Sequence, residues 1–352
     1  MNIEKLLDNE LYKSDMNYRS NFFNKKLNEL TKLHYNKCEK YKHIANSLGY
    51  SPKKDYSVND LPFFPVRLFK QHDLMSINKE DIYKIMKSSG TSGQSVSKIY
   101  LDKKNASIQT KVLIKIISYV LGSKRLPMLV IDSQSVLSNR NSFSARAAGI
   151  IGFSIYGNKP VYALNDKMEL DVDKVIQFFD QHENKEVFVF GFTYIVWQNF
   201  VRQVLDKKIK LKKVKGTLIH GGGWKKMLEE SVSNKQFKSG FNEVCGIKNI
   251  INYYGMVEQT GSIFVECSNG NLKASLFSDV IIRRKDFTEC GYNEIGIIQT
   301  ISLLPTSYPG HNLISEDLGE QIDCNCDNSG KCFIIHGRIK EAEIRGCSDT
   351  VE

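Results

Sequence analysis

The chain has 352 residues, 41% of them apolar and 25% charged, which excludes an intrinsically disordered polymer and leaves enough length for a large core in two or three subdomains. No apolar run approaches the ~20 residues that span a bilayer as a helix. The opening Met1-Asn2-Ile3-Glu4-Lys5-Leu6-Leu7-Asp8 lacks the apolar stretch of a signal peptide, so a cytoplasmic location is expected. The formal charge of +10 is spread as lysine over the whole chain with no nucleic-acid module beside it, and no nucleic-acid partner is expected.

In chain order, the pattern over residues 18–48 predicts one long helix, apolar at Phe22, Phe23, Leu27, Leu30, Leu33 and Tyr41, with Gly49 as its stop. Residues 1–60 thus form an N-terminal helical region, ahead of an α/β core over 61–310 and a short hinge and tail over 311–352. A strand-like run at 82–86 leads into Lys87-Ser88-Ser89-Gly90-Thr91-Ser92-Gly93-Gln94-Ser95-Val96-Ser97-Lys98. Glycines that turn freely, hydroxyls, successive N–H groups and a lysine suit a polyanion cradle, although the Gly-x4-Gly-Lys-Ser/Thr spacing of the P-loop is absent. The alternative is a solvated turn.

Apolar runs at 126–132, 186–191 and 215–219 read as strands, with helices expected over 193–205 and 225–233. This alternation predicts parallel strands with crossover helices, whose ligands bind beyond the carboxyl ends of the strands. From about residue 263 the chain turns β-rich. Eight cysteines in a chain of this kind argue against a disulfide framework. Cys324, Cys326 and Cys332 cluster on a Gly- and Asp-rich turn and would supply three thiolates to a structural zinc, with Cys267, Cys290 or His336 as the fourth ligand; the alternative is a set of reduced thiols.

The order Ser-Ser-Gly-Thr-Ser-Gly with Lys98 behind it resembles the phosphate loop of the adenylate-forming superfamily. Three companions follow in that superfamily's order. His220-Gly221-Gly222-Gly223-Trp224-Lys225 resembles its adenine turn. Asn252-Tyr253-Tyr254-Gly255-Met256-Val257-Glu258-Gln259-Thr260 resembles its Tyr-Gly-x-Thr-Glu signature, with Val257 where threonine is usual. Leu313-Ile314-Ser315-Glu316-Asp317-Leu318-Gly319 with Gly337-Arg338 resembles its ribose and hinge segments. The resemblance implies an α/β large-domain architecture with a smaller barrel-like β subdomain.

The tail narrows the comparison. The chain ends fifteen residues after Gly337, so the usual C-terminal lid is expected to be truncated. Phe63-Phe64-Pro65-Val66-Arg67-Leu68-Phe69-Lys70, Tyr254-Gly255-Met256-Val257-Glu258-Gln259 and Arg345-Gly346-Cys347-Ser348-Asp349 are similar to the LuxE-type acyl-protein synthetases. That resemblance implies activation of a carboxylic acid, expected to be a long-chain fatty acid, with ATP and Mg2+. The acyl group would pass from acyl-AMP to Cys347 and on to an acyl-reductase partner.

The resemblance also implies roles for particular residues. Lys98, Ser88, Ser89, Gly90, Thr91, Ser92 and Gly93 would hold the phosphates. Gly221, Gly222, Gly223, Tyr254 and Gly255 would take the adenine, Asp317 and Arg338 the ribose and hinge, and Glu258 the magnesium. Phe190, Gly191, Phe192 and His220 are candidates for an acyl pocket, against the alternative of plain core. Two rival functions are an acyl- or aryl-CoA ligase that uses free coenzyme A, and a non-catalytic nucleotide-binding scaffold for a reductase.

Overall fold

The computed structural model describes residues 3–12, 16–88, 96–138, 145–224, 230–326 and 330–339. Its elements, in chain order, are α1 (Met16–Lys37), α2 (Glu39–Ser47), β1 (Phe64–Pro65), α3 (Leu68–Gln71), β2 (Lys84–Lys87), β3 (Lys98–Leu101), α4 (Lys103–Leu121), β4 (Leu126–Ser133), α5 (Ala145–Ser154), β5 (Gly157–Leu164), α6 (Val172–Gln181), β6 (Glu186–Phe192), α7 (Thr193–Ile195), α8 (Gln203–Asp206), β7 (Lys215–Gly221), α9 (Asn234–Cys245), β8 (Asn249–Tyr254), β9 (Phe264–Glu266), β10 (Leu272–Lys273), β11 (Ser278–Arg283), β12 (Gly296–Ser302), β13 (Asn312–Ile322) and β14 (Cys332–Arg338). Two compact units emerge among the described residues. One holds 3–88, 96–116 and 255–339, the other 117–254.

In the first unit an antiparallel sheet runs in the order β11-β12-β13-β14-β10-β9. β13 is long enough to take two partners along one edge. Its start pairs with β1 in parallel, and its later residues pair with β14 in antiparallel. A separate hairpin, β2 with β3, sets Lys87 opposite Lys98. The helical stretch predicted as one rod is two helices, because Cys38 adopts an extended conformation at the N-cap of α2. Its thiol side is buried, and the break turns Tyr41 inward against Phe64, with ring centroids 4.5 Å apart. The inner face of α1 carries polar groups as well as Phe23, Leu27 and Leu30: Asn28, Thr31 and His34 are all buried.

The second unit is a parallel sheet in the order β5-β4-β6-β7-β8. The chain moves outward from β4 to β5, then returns to the other side of β4 as β6, so the switch point lies between β4 and β6. Ligands of such sheets bind beyond the carboxyl ends of the strands at that point. The predicted helix after β6 is present as α7, a π-helical turn over Val196–Arg202 and α8 in unbroken succession. π-turns recur at functional sites. Most of the helix expected over 225–233 falls outside the described residues, and the helix described after β7 is α9. Ser233 accepts from the Gln236 N–H while Gln236 bonds back to Ser233, a capping box that starts the helix at Asn234. Residues 225–229 lie outside the described residues.

Candidate functional site

In the first unit the pairing of β1 with β13 brings a basic turn to an acidic strand. Phe64 and Pro65 stand opposite Leu313 and Ile314, and the Val66 N–H donates to the Ile314 carbonyl at 3.0 Å. Arg67 can therefore reach Glu316, with Nη2 3.2 Å from Oε1. Asp317 is the register partner of Arg338 across β13 and β14. Their side chains meet at 3.3 Å, with Glu316 4.0 Å from the same guanidinium. Asp317 and Arg338, singled out from sequence, are thus one pair. Arg67 and Glu316, whose roles sequence reasoning missed, are joined to it; no local signal links residues so far apart in the chain.

Glu258 lies in the short helical turn Val257–Gln259 and is 5% exposed. Gln259 pins that turn by donating to the carbonyls of Thr300 and Gly310 at 3.0 and 2.9 Å. Burial pushes the Glu258 carboxyl up from its ordinary range; the Ser97 hydroxyl and the Lys70 cation pull against that shift, and Glu316 adds to it. A carboxyl held this way gains from an incoming cation, which restores the charged form.

At the base of the predicted phosphate loop, Ser88 donates its N–H to the Ser97 carbonyl at 3.1 Å, and its Oγ accepts from the Ser97 N–H at 2.9 Å. Beside this closure two lysines, Lys87 and Lys98, oppose each other directly. Like charges in that position repel, and a bound anion relieves the repulsion. Lys98 meets Asp73 at 3.7 Å. The Tyr100 hydroxyl donates to that carboxylate at 2.6 Å and holds its pKa down, with Lys98 helping. Ser89, Gly90, Thr91, Ser92 and Gly93 lie outside the described residues, as does Cys347.

In the second unit the glycine turn ends β7. A Cβ on Gly221 would lie 2.6 Å from the Tyr253 ring and 2.7 Å from its carbonyl oxygen, and Gly222 has a φ of +88°. Only glycine meets both demands without displacing the backbone. Because side chains alternate along β8, Tyr253 covers Gly221 and packs on Phe153, while Tyr254 points to the opposite face and is half-buried. The tyrosine expected against the adenine is thus the one not committed to that core face.

The acyl-pocket candidates fall into two groups. Phe190 is sealed against Phe153 at a ring distance of 4.4 Å and lies 5.7 Å from Phe192, while a Cβ on Gly191 would strike Val196 on the other face. These side chains pack as core. His220 is fully buried, and its Nδ1 donates to Thr193 Oγ1 at 3.0 Å, since that hydroxyl is itself committed to the Gly221 carbonyl. Its Nε2 has no partner among the described residues. Burial, assisted by Lys238, lowers its pKa to about 3. Phe237 lies 4.4 Å from the imidazole, and Trp197 and Trp224 surround Phe237. Phe237 was missed from sequence; the capping box at Ser233 would have put it on the inner face of a helix.

A parallel sheet with crossover helices and a second, antiparallel unit make an α/β fold like that of solved adenylate-forming enzymes. An open 2-hydroxyisobutyryl-CoA ligase, solved with its acyl-AMP and CoA, resembles 95% of this chain over 78% of its own, at a TM-score of 0.71 and 14% identity. The same ligase in its thioester-forming state gives 0.72 and 14%, over 94% and 70% of the two chains. At those identities the likeness is one of fold.

The sequence itself goes further: residues 2–352 match the model of the acyl-protein synthetase family, LuxE, and the chain belongs to that family. It is an ATP-dependent acyl ligase, in which ATP activates the acid. A relative from Vibrio harveyi, described as a long-chain-fatty-acid–luciferin-component ligase, is 21% identical over 333 residues, covering 90% of this chain and 83% of its own. No helix among the described residues is long and apolar enough to cross a membrane.

Proposed function

We propose that this ligase activates a long-chain fatty acid as its adenylate and takes the acyl group on Cys347, for delivery to an acyl-reductase partner. The reading is supported above all by the glycine turn at the carboxyl end of β7, where neither Gly221 nor Gly222 tolerates a side chain. A flat adenine can lie against such a turn, beside the half-buried Tyr254. Asp317, oriented by Arg338, accepts from the ribose hydroxyls, and the phosphates fall to Lys98, Ser88 and the loop that follows. Glu258 suits Mg2+, whose charge would stabilise the leaving pyrophosphate.

In the first step a carboxylate oxygen attacks the α-phosphorus in line, and the bond to the bridging oxygen breaks to release pyrophosphate. In the second, the Cys347 thiolate attacks the acyl carbon, the carbon–oxygen bond to phosphate breaks, and AMP leaves with the electron pair. Arg345 and Lys340 would favour the thiolate electrostatically.

Acid-dependent exchange of pyrophosphate into ATP tests the first step. Exchange with fatty acids of one chain-length range, reduced on the order of 100-fold in Asp317→Ala, is the expected result. No exchange with any acid would leave a nucleotide-binding scaffold. Exchange together with free coenzyme A as the acyl acceptor would identify a CoA ligase.

A further inference from the structure

β9 ends in a tight turn in which the Cys267 N–H donates to the Asn271 carbonyl at 2.8 Å, and the Gly270 N–H to the Cys267 carbonyl at 2.9 Å. The chain returns as β10, which pairs with β9 on one side and with β14 on the other, Lys273 facing Cys332. Cys332 also stands opposite Ile322, the last residue of β13, so the Cys324 and Cys326 that follow β13 come to the same place. Two hairpins thereby bring four thiols together. The sulfurs of Cys267, Cys324, Cys326 and Cys332 all lie within 4.8 Å of one another.

The spacing is informative. Cys267 and Cys324 are 3.7 Å apart and Cys326 and Cys332 3.8 Å. Disulfide sulfurs would be about 2.0 Å apart. A tetrahedron with metal–sulfur bonds of about 2.3 Å has edges of about 3.8 Å.

Hydrogen-bond donors surround two of the four sulfurs. Lys273 is 2% exposed, and its ammonium donates to Cys326 Sγ at 2.7 Å. The Asn269 and Asn271 amides direct N–H groups at Cys324 Sγ from 3.6 and 3.5 Å. Four thiolates on a divalent ion leave a net charge of −2, which these donors offset as outer partners do in metal sites. Of the three fourth ligands left open by sequence, Cys290 instead packs toward Gly296, and His336 bonds Glu320 at 2.9 Å.

We propose that Cys267, Cys324, Cys326 and Cys332 hold a structural zinc ion that clamps the β9–β10 turn to one end of the β13–β14 hairpin. Soft, closed, four-thiolate sites select zinc and leave no open position for chemistry. Asp317 and Arg338 lie toward the other end of the same hairpin, so the ion fixes the register on which their pairing depends. The site stands whether or not the adenylation reading holds.

The test is the metal content of the full chain produced with added zinc, by elemental analysis and native mass. One zinc per chain is expected in wild type and in Cys290→Ser. In Cys267→Ser and Cys326→Ser, affinity should fall on the order of 10-fold or more. Since those variants risk misfolding, wild type reconstituted with Co2+ should also show the absorption of a tetrahedral tetrathiolate. Wild type free of zinc, zinc undiminished in both ligand variants, iron in its place, or a Cys267–Cys324 disulfide would each overturn the assignment.

Discussion

Glu258 is an acidic side chain in a nearly dry setting, and its raised pKa has a sign that can be worked through. The folded chain keeps a proton that the unfolded chain releases at the ordinary value of 4.5, so this group's contribution to stability is lost as pH rises from there. At pH 8 Glu258→Gln is therefore expected to raise the melting temperature of the nucleotide-free protein while lowering pyrophosphate exchange on the order of 100-fold; a lower melting temperature would contradict the account. Gly221 makes the opposite test. With a Cβ 2.6 Å from Tyr253, Gly221→Ala should cost about 1–3 kcal/mol in denaturant titration by overpacking and raise the KM for ATP. Gly221 and Glu258 were legible as motif residues. Their environments were not, since Ser97, Lys70 and Tyr253 are supplied by other elements.

At the scale of elements, the switch point between β4 and β6 is braced by an ion pair absent from every sequence motif. Arg146, on α5, donates Nε to Asp132 at 2.7 Å, and both side chains are under 5% exposed. Burial raises the Asp132 pKa, and the guanidinium opposes that rise. Removing one partner leaves the other charged and dry, so Arg146→Ala should lose about 3–5 kcal/mol in the same titration, with much of the loss recovered when Asp132 is also made Asn. The strands themselves were legible, because parallel strands buried on both faces are continuous apolar runs: Met128 to Ile131 and Val187 to Phe190 are fully buried. Helix ends were less so. The break at Cys38 carries neither proline nor glycine, and the start of α9 is set by Ser233 and Gln236, a pair easily passed over behind a glycine-rich segment.

At the scale of the molecule, three histidines are buried among the described residues, each held neutral by that burial. His34 stacks on His311 at 4.9 Å and bonds Ser76 at 2.8 Å, while Thr31 meets His311 at 2.9 Å. Burial lowers His34 and His220 to about 3 and takes His311 well below its usual value. Unfolded histidine titrates near 6.5, so the stability these groups lend is full above that pH and lost as pH falls below it, by up to about 1.4 kcal/mol per pH unit for each. Denaturant titrations are expected to show stability level above about pH 7.5 and falling below about pH 6 more steeply than one proton allows, with a shallower fall in His311→Asn. Such contacts, like those of Cys267 with Cys324 at a sequence separation of 57 or of Arg67 with Glu316 at 249, are products of topology that no local pattern announces.

The acyl acceptor is the central functional claim. Intact-protein mass after incubation with ATP, Mg2+ and a panel of fatty acids, for wild type and Cys347→Ser, tests it most directly. The account predicts a hydroxylamine-labile adduct of one acyl chain on wild type and none on the variant; an adduct that persists in Cys347→Ser, or AMP release with no adduct on either protein, would contradict it.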